Sequence, residues 1–468
     1  MIRFEWSLGG VFGVCLCGLV CAQQAEVVLV GERGAEFRAL GLPSIPGAEG
    51  VYSWAHGVSA DGLTVVGEMG PAGGGDGRQA FRWSPGTGLE GIGDLEGGTL
   101  TSVAFGVNAD GSVIVGRGSS LHPVGTLRHE GFAWDRAPLG MGVMTALGGY
   151  IDTGISTVGL APTFLGVARG VSADGAVVIG AALEITNRRG DFVQGHTRPA
   201  RWVQGAAGGA GGYELRSLGR IDEHGLDGWA NGVSADGRVI VGSEVREPEF
   251  QTPRAFRWTE STGMVSLGDL NGAGVKSAAS GVSADGEVVV GWAASAVGDQ
   301  AFRWTLAGGM VGLGRLGEST ILSEAKAVNA DGSVIGGEER FSLGEGLVGL
   351  AGTVWTEALG WRRLDRVLEE QGVALAGWGI GTVEGVSADG RVLVGLAQSP
   401  GGELVGFRAV LAVACEADVN ADGVLDLGDI QVFVGGYQSG DPRSDFNGDG
   451  VVDPGDVAAF VEAYLAGC

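Results

Sequence analysis

Across most of the chain, apolar positions fall in short runs separated by glycine-rich polar stretches, and one such unit keeps returning. It reads Gly-Val-Ser/Asn-Ala-Asp-Gly, one variable residue, three mainly apolar and β-branched residues, then Gly. Copies lie at 57–67, 106–116, 170–180, 232–242, 281–291 and 385–395, and the copy at 327–337 differs in opening with Ala. Two apolar runs around Ala-Asp-Gly predict a β-hairpin whose Gly takes the positive φ of the turn. A third element follows each hairpin: Ala-Phe-Arg-Trp at 80–83, 255–258 and 301–304, with variants at 131–134, 199–202, 352–355 and 406–409. Its Phe and Trp, two residues apart, share one strand face, and the Arg points to the other. A fourth element centres on Leu-Gly, at 92–95, 147–148, 218–219, 267–270, 313–316 and, as Leu-Asp, at 364–365. The missing seventh copy precedes the first hairpin, at Leu40–Leu42.

The N-terminus therefore supplies the fourth strand of the last repeat, as a closed ring requires. Successive Asp-Gly turns are 49, 64, 62, 49, 46 and 58 residues apart, near the length of a four-strand propeller blade. The expected fold is mainly β: a seven-bladed β-propeller over 36–413, followed by a small all-α, EF-hand-like module over 415–468. Closure removes exposed strand edges. An open β-solenoid is the alternative, disfavoured by the long, uneven period.

The order of these elements resembles the HAF repeats of bacterial extracellular proteins, over about 370 residues, and 367–395 resembles that family's final repeat. The resemblance implies an exported repeat protein and no particular reaction.

Composition narrows the function classes. The 468 residues include 92 Gly, but 44% are hydrophobic and twelve are Trp, which fits many short strands and not disorder. A net charge of −25 excludes nucleic acid as a partner, since no basic surface is available for phosphates. It also argues against anionic membranes and suits cations. Residues 1–22 read as a signal peptide, with Arg3, an apolar stretch over 7–20, and Val20 and Ala22 at the cleavage positions. A membrane anchor is the competing reading, but the apolar run is short for a span, and no transmembrane span is expected in the mature chain. Cys15, Cys17 and Cys21 would leave with the leader. Cys415 and Cys468 would remain, an even count consistent with one disulfide.

The Ala-Asp-Gly copies bring one carboxylate each and no regularly spaced neighbours, so turn chemistry outweighs metal binding. Short turns mark one face of the expected ring, and long, variable connections mark the other. Tyr150, Arg188, Arg189, His196 and Trp378 are the candidate ligand residues of that variable face, with solvated loops as the competing reading. No catalytic residue is assigned. The five His show no ligand spacing, and no nucleophile elbow, phosphate loop or zinc motif occurs.

The tail uses Asp-Gly differently. Residues 418–429 and 445–456 form two twelve-residue loops with side-chain oxygens at positions 1, 3, 5, 9 and 12 and Gly at position 6. The ligands expected for two Ca²⁺ ions are Asp418, Asn420, Asp422, the Val424 carbonyl, Asp426 and Asp429, then Asp445, Asn447, Asp449, the Val451 carbonyl, Asp453 and Asp456. Ile430, Phe433, Val434 and Tyr437 follow the first loop at helical spacing, and Val457, Phe460, Val461 and Tyr464 follow the second. The duplicated loop–helix unit with Asp at position 12 resembles a type I dockerin. That resemblance implies a cohesin-like or envelope partner and a role in assembling extracellular enzymes, commonly polysaccharide hydrolases. Leu427-Gly428 and Pro454-Gly455 replace the usual Ser/Thr pair. The Gly467-Cys468 ending resembles a dockerin subclass considered a C-terminal anchor. Two roles stay open for Cys468: a disulfide with Cys415, which is preferred, or a covalent anchor to the envelope.

The sequence thus predicts an exported, non-catalytic display or binding protein, extracellular or at the cell surface. A polysaccharide-degrading enzyme or carbohydrate-binding subunit carried by the same tail is the alternative, and a structural envelope protein a third.

Overall fold

The structure, a computed structural model, describes residues 26–31, 34–43, 50–72, 77–121, 127–135, 142–151, 165–188, 192–205, 212–246, 252–271, 276–344, 346–412, 417, 419–420, 425–447 and 449–466. The expected leader, Cys415 and Cys468 lie outside these residues.

Each repeat folds into an antiparallel sheet with its strands in chain order. In the first repeat Val51–Val58 pairs with Val65–Pro71, which pairs with Gln79–Ser84, which pairs with Gly88–Gly93. The Ser-Ala-Asp-Gly turn that joins the first two strands satisfies itself. Ser59 Oγ donates to Asp61 Oδ1 at 2.5 Å and accepts from the Thr64 N–H at 2.9 Å, while Asp61 Oδ1 also accepts from the Leu63 N–H. Ser172, Ser234, Ser283 and Ser387 repeat the pattern. Asn108 and Asn329 replace the Ser by accepting from Val113 and Val334 through their amide oxygens. The turn carboxylates are therefore used locally, as the turn reading expects.

The turns also bond to one another. Ala60 N–H donates to Ala109 O, Ala109 to Ala173, Ala173 to Ala235, Ala235 to Ala284, Ala284 to Ala330, Ala330 to Ala388, and Ala388 back to Ala60, all between 2.9 and 3.2 Å. The cycle returns to its start, which an open solenoid could not do. Sheets radiating from such a cycle are the arrangement of a β-propeller.

The cycle needs its glycines. In each turn the Gly has φ between +70° and +79°, and a Cβ there would press on a side chain of the preceding repeat, as at Gly286, 2.5 Å from Val239 Cγ2. The Gly ending each eleven-residue phrase faces a different obstacle. At Gly67 a Cβ would sit 1.9 Å from the Trp54 carbonyl of the partner strand.

The first and last repeats of the strand region meet as expected, with one shift. Glu36–Ala39, just before Leu40–Leu42, pairs antiparallel with Leu404–Val410. Val27–Val30 adds a fifth strand outside it that no repeat predicts. The Leu-Gly elements close the outer strands. Leu40, Leu147, Leu218 and Leu267 donate back to the third strand, and the following Gly turns the chain at positive φ. Ser53, Ser102, Ser277 and Ser323 then latch neighbouring repeats. Each donates to the Leu-Gly glycine carbonyl and accepts from a third-strand N–H.

The core lies between adjacent sheets. One cluster combines Val66, Ala80 and Leu95 of the first repeat with Ala104, Ile114, Phe132 and Trp134 of the second. Phe81, Phe132, Phe256, Phe302 and Phe407 are each fully buried, and each contributes roughly 1.5–3 kcal/mol by leaving water. A short helix, α1, over Leu364–Glu370 caps the last repeat with buried Leu364, Val367 and Leu368.

The tail folds as α2, Leu427–Ser439, a 3₁₀ turn at Pro442–Ser444, and α3, Pro454–Ala466. Phe433 and Phe460 stack face to face at 4.1 Å, and Phe446 meets Phe460 edge-on at 5.4 Å. No helix among the described residues is long and apolar enough to cross a membrane.

Candidate functional site

The residues nominated for the variable face do not form one site. Tyr150 sits in a two-residue strand beside Leu183, Arg188 ends the strand Val177–Arg188, and His196 pairs with Glu184 on Phe192–Gln204. These three share a sheet. Arg189 lies outside the described residues. Trp378 belongs to the last repeat, where its ring packs 5.4 Å from that of Phe37. His196 is only 5% exposed, with Nδ1 3.9 Å from Asp227 Oδ1. Of these two candidates for the ligand face, His196 is thus buried, and Trp378 is partly buried against the core of the last repeat. Next to His196, Glu184 receives Arg198 at 2.6 Å and Arg220 at 2.7 Å. Burial would raise this carboxyl, but the two guanidinia hold it below the usual range.

A cavity of about 240 Å³ lies elsewhere, between the first and second repeats. Arg78 enters from the first repeat, and Thr99 and Thr101 from the connection between repeats. Arg117, Ser119, Leu127 and His129 come from the second hairpin. Ser119 and the backbone around it are fixed by Asp94, whose carboxylate accepts from the N–H groups of Leu95, Thr101 and Ser119 and from the Ser119 hydroxyl. Arg78 reaches Glu68 at 3.3 Å.

A second group recurs in the first strands of the repeats. The first strand of every repeat slips register one residue before the Gly or Ala that opens the repeated phrase. The bulged residues are His56, Phe105, Arg169, Asn231, Ser280, Lys326 and Glu384. Several touch: Arg169 donates to Asn231 at 3.2 Å, Lys326 lies 3.2 Å from Glu384 and 3.4 Å from Glu338, and the rings of His56 and Phe105 are 5.5 Å apart. Burial lowers His56 to about 4, whereas Lys326 is raised overall, because three surrounding glutamates outweigh its burial. These positions follow no sequence motif. The signal was the one column that varies just ahead of an otherwise constant phrase.

In the tail, both position-12 residues are fully buried. Asp429 accepts from the N–H groups of Asn420 and Asp426, and Asp456 from those of Asn447 and Asp453 at 3.0 and 2.8 Å. The position-9 residues start the helices: Asp426 caps α2 and Asp453 accepts from the Gly455 N–H. The first position-9 and position-12 pair therefore forms a reciprocal capping box, and in the second pair Asp453 accepts from Gly455 while its own N–H donates to Asp456. The N–H of Asn447, then that of Asp453, holds Asp456 below the usual carboxylate range. The remaining oxygens of the second loop also accept local amides, with Asp445 bonded to the N–H of Asp449 and Gly450. Of the first loop, Asp418, Asp422 and Val424 lie outside the described residues. The donor types, all oxygen, fit a hard cation. Among the described residues, no three acidic, His or Cys side chains converge on one point.

No protein family matches the chain, and no curated protein does. Among solved structures, it is similar to a putative TolB from Agrobacterium tumefaciens (11% identity, 84% of this chain and 100% of that one, TM-score 0.37). An oligogalacturonate lyase in complex with manganese matches with 13% identity over 84% of this chain and 98% of that one, TM-score 0.43. One from Vibrio parahaemolyticus matches with 10% identity over the same shares, TM-score 0.46. All three scores are below 0.5, so the fold assignment rests on the hydrogen-bonded cycle.

Proposed function

We propose that the chain is an exported, non-catalytic display protein. A seven-bladed β-propeller of HAF-like repeats presents its variable face, and a Ca²⁺-dependent dockerin-like tail attaches it to a cohesin-like or envelope protein. The observation that carries this reading is the internal symmetry of the tail. Two loop–helix units place a buried Asp at equivalent positions and join through the Phe433–Phe460 stack. Ca²⁺ bound by the two loops would offset the mutual repulsion of their carboxylates, so binding would also be folding. The apolar groove lined by Val434, Tyr437, Val461 and Leu465 between α2 and α3 supports attachment through this module. Its Val434, Val461 and Leu465 are exposed.

The test is capture from envelope and culture extracts by the mature protein, with Ca²⁺ and with EDTA. A partner retained only with Ca²⁺, and lost when Asp445 and Asp456 are changed to Asn, supports the tail as an adaptor. Equal capture in EDTA would overturn it.

A further inference from the structure

We propose that the cavity between the first and second repeats is an oxyanion site centred on Arg117, taking a small ligand that carries a carboxylate or sulfate group. The chain carries a net charge of −25, yet two guanidinia and an imidazole line this one cavity. The local carboxylates are already engaged. Asp94 is held by amides and Ser119, Glu68 by Arg78, and Glu130 by Arg128 and Ser120. Arg117 has no carboxylate within ion-pair distance among the described residues.

Hydrogen-bonding capacity is also left over. Arg78 Nε, Arg117 Nε, the Thr101 hydroxyl and His129 Nδ1 are buried without a partner among the described residues. A buried polar group without a partner is costly, and several in one cavity point to something that completes them. Burial, then the like charge of Arg78, lowers Arg117, as expected of a cation short of a counter-charge. An oxyanion would supply that charge, and its several lone pairs match planar guanidinium donors. Exposed Thr99 and Leu127 mark the mouth. The volume is below the roughly 300–1,000 Å³ of drug-sized sites, so a single small anion or sugar acid is the right scale.

The experiment is calorimetry on the full chain with D-glucuronate, sulfate and D-glucose at ionic strength fixed by NaCl. Binding of glucuronate alone assigns a carboxylate, of sulfate alone a tetrahedral anion, and of both a general oxyanion site. Each supports the proposal provided that Arg117→Gln weakens it about tenfold or more and Arg117→Lys less. Because Arg117→Gln alters a strand, Thr101→Val is the second variant, expected to weaken binding with an unchanged melting midpoint. No binding of either anion, equal binding of glucose, or anion binding that survives both variants would overturn it.

Discussion

At the scale of single residues, the turn is where sequence and structure are most tightly coupled. Gly286 combines φ of +79° with a neighbour 2.5 Å from any added Cβ. Gly286→Ala is expected to destabilise by about 1–3 kcal/mol, read as a lower denaturation midpoint. Gly309, at φ +66° with open space around it, should tolerate the same change better. The turn carboxylates also set an acid limit. The Ser283 hydroxyl, then the Glu287 N–H, holds Asp285 below its ordinary value of 3.8. Its contribution is present above that value and is lost as pH falls through the lower folded-state value. Ser283→Ala should cut this contribution, so stability measured from pH 5 to pH 2 should fall less steeply than in the parent.

At the scale of elements, the pairing of Glu36–Ala39 with Leu404–Val410 joins the N-terminal strand to the last repeat. Removing residues 26–39 would strip that edge and expose Phe37's partners Phe407 and Trp378. Such a truncation should be cut by protease far faster than the full chain, and equal resistance would mean the clasp is dispensable. This pairing was legible because the repeats counted one strand short at the end and one long at the beginning. The hairpins were legible for a similar reason: Asp-Gly between β-branched runs has few other solutions. The strand Val27–Val30 was not legible, because it belongs to no repeat. Nor were the bulges, whose side chains vary while the backbone pattern stays constant. His196 and Trp378 were nominated from loop length, and loop length says nothing of which side chains turn inward, as His196 does fully and Trp378 in part. The cavity around Arg117 draws on four separated segments, so no local spacing could reveal it.

At the scale of the whole molecule, the cycle of turn hydrogen bonds gathers seven strands whose bulged residues differ in chemistry while their backbone is alike. His56 illustrates the consequence. Burial holds it at about 4 against an ordinary 6.5, so the unfolded chain takes up a proton first as pH drops. Stability should fall as pH is lowered between 6.5 and 4. His56→Phe should flatten that slope, since Phe105 occupies the equivalent position of the next repeat. The tail is the part on which the functional reading depends. Asp456 accepts from the Asp453 N–H at the start of α3 and is one of the ligands proposed for the second cation, and Asp456→Asn separates these roles by keeping the acceptor while removing the charge. The most direct measurement is a Ca²⁺ titration of the mature, EDTA-treated protein, followed by calorimetry and far-UV circular dichroism. The account predicts two binding events, a gain of helix signal with the strand signal unchanged, and weaker binding in Asp456→Asn. No heat and an unchanged helix signal would contradict it.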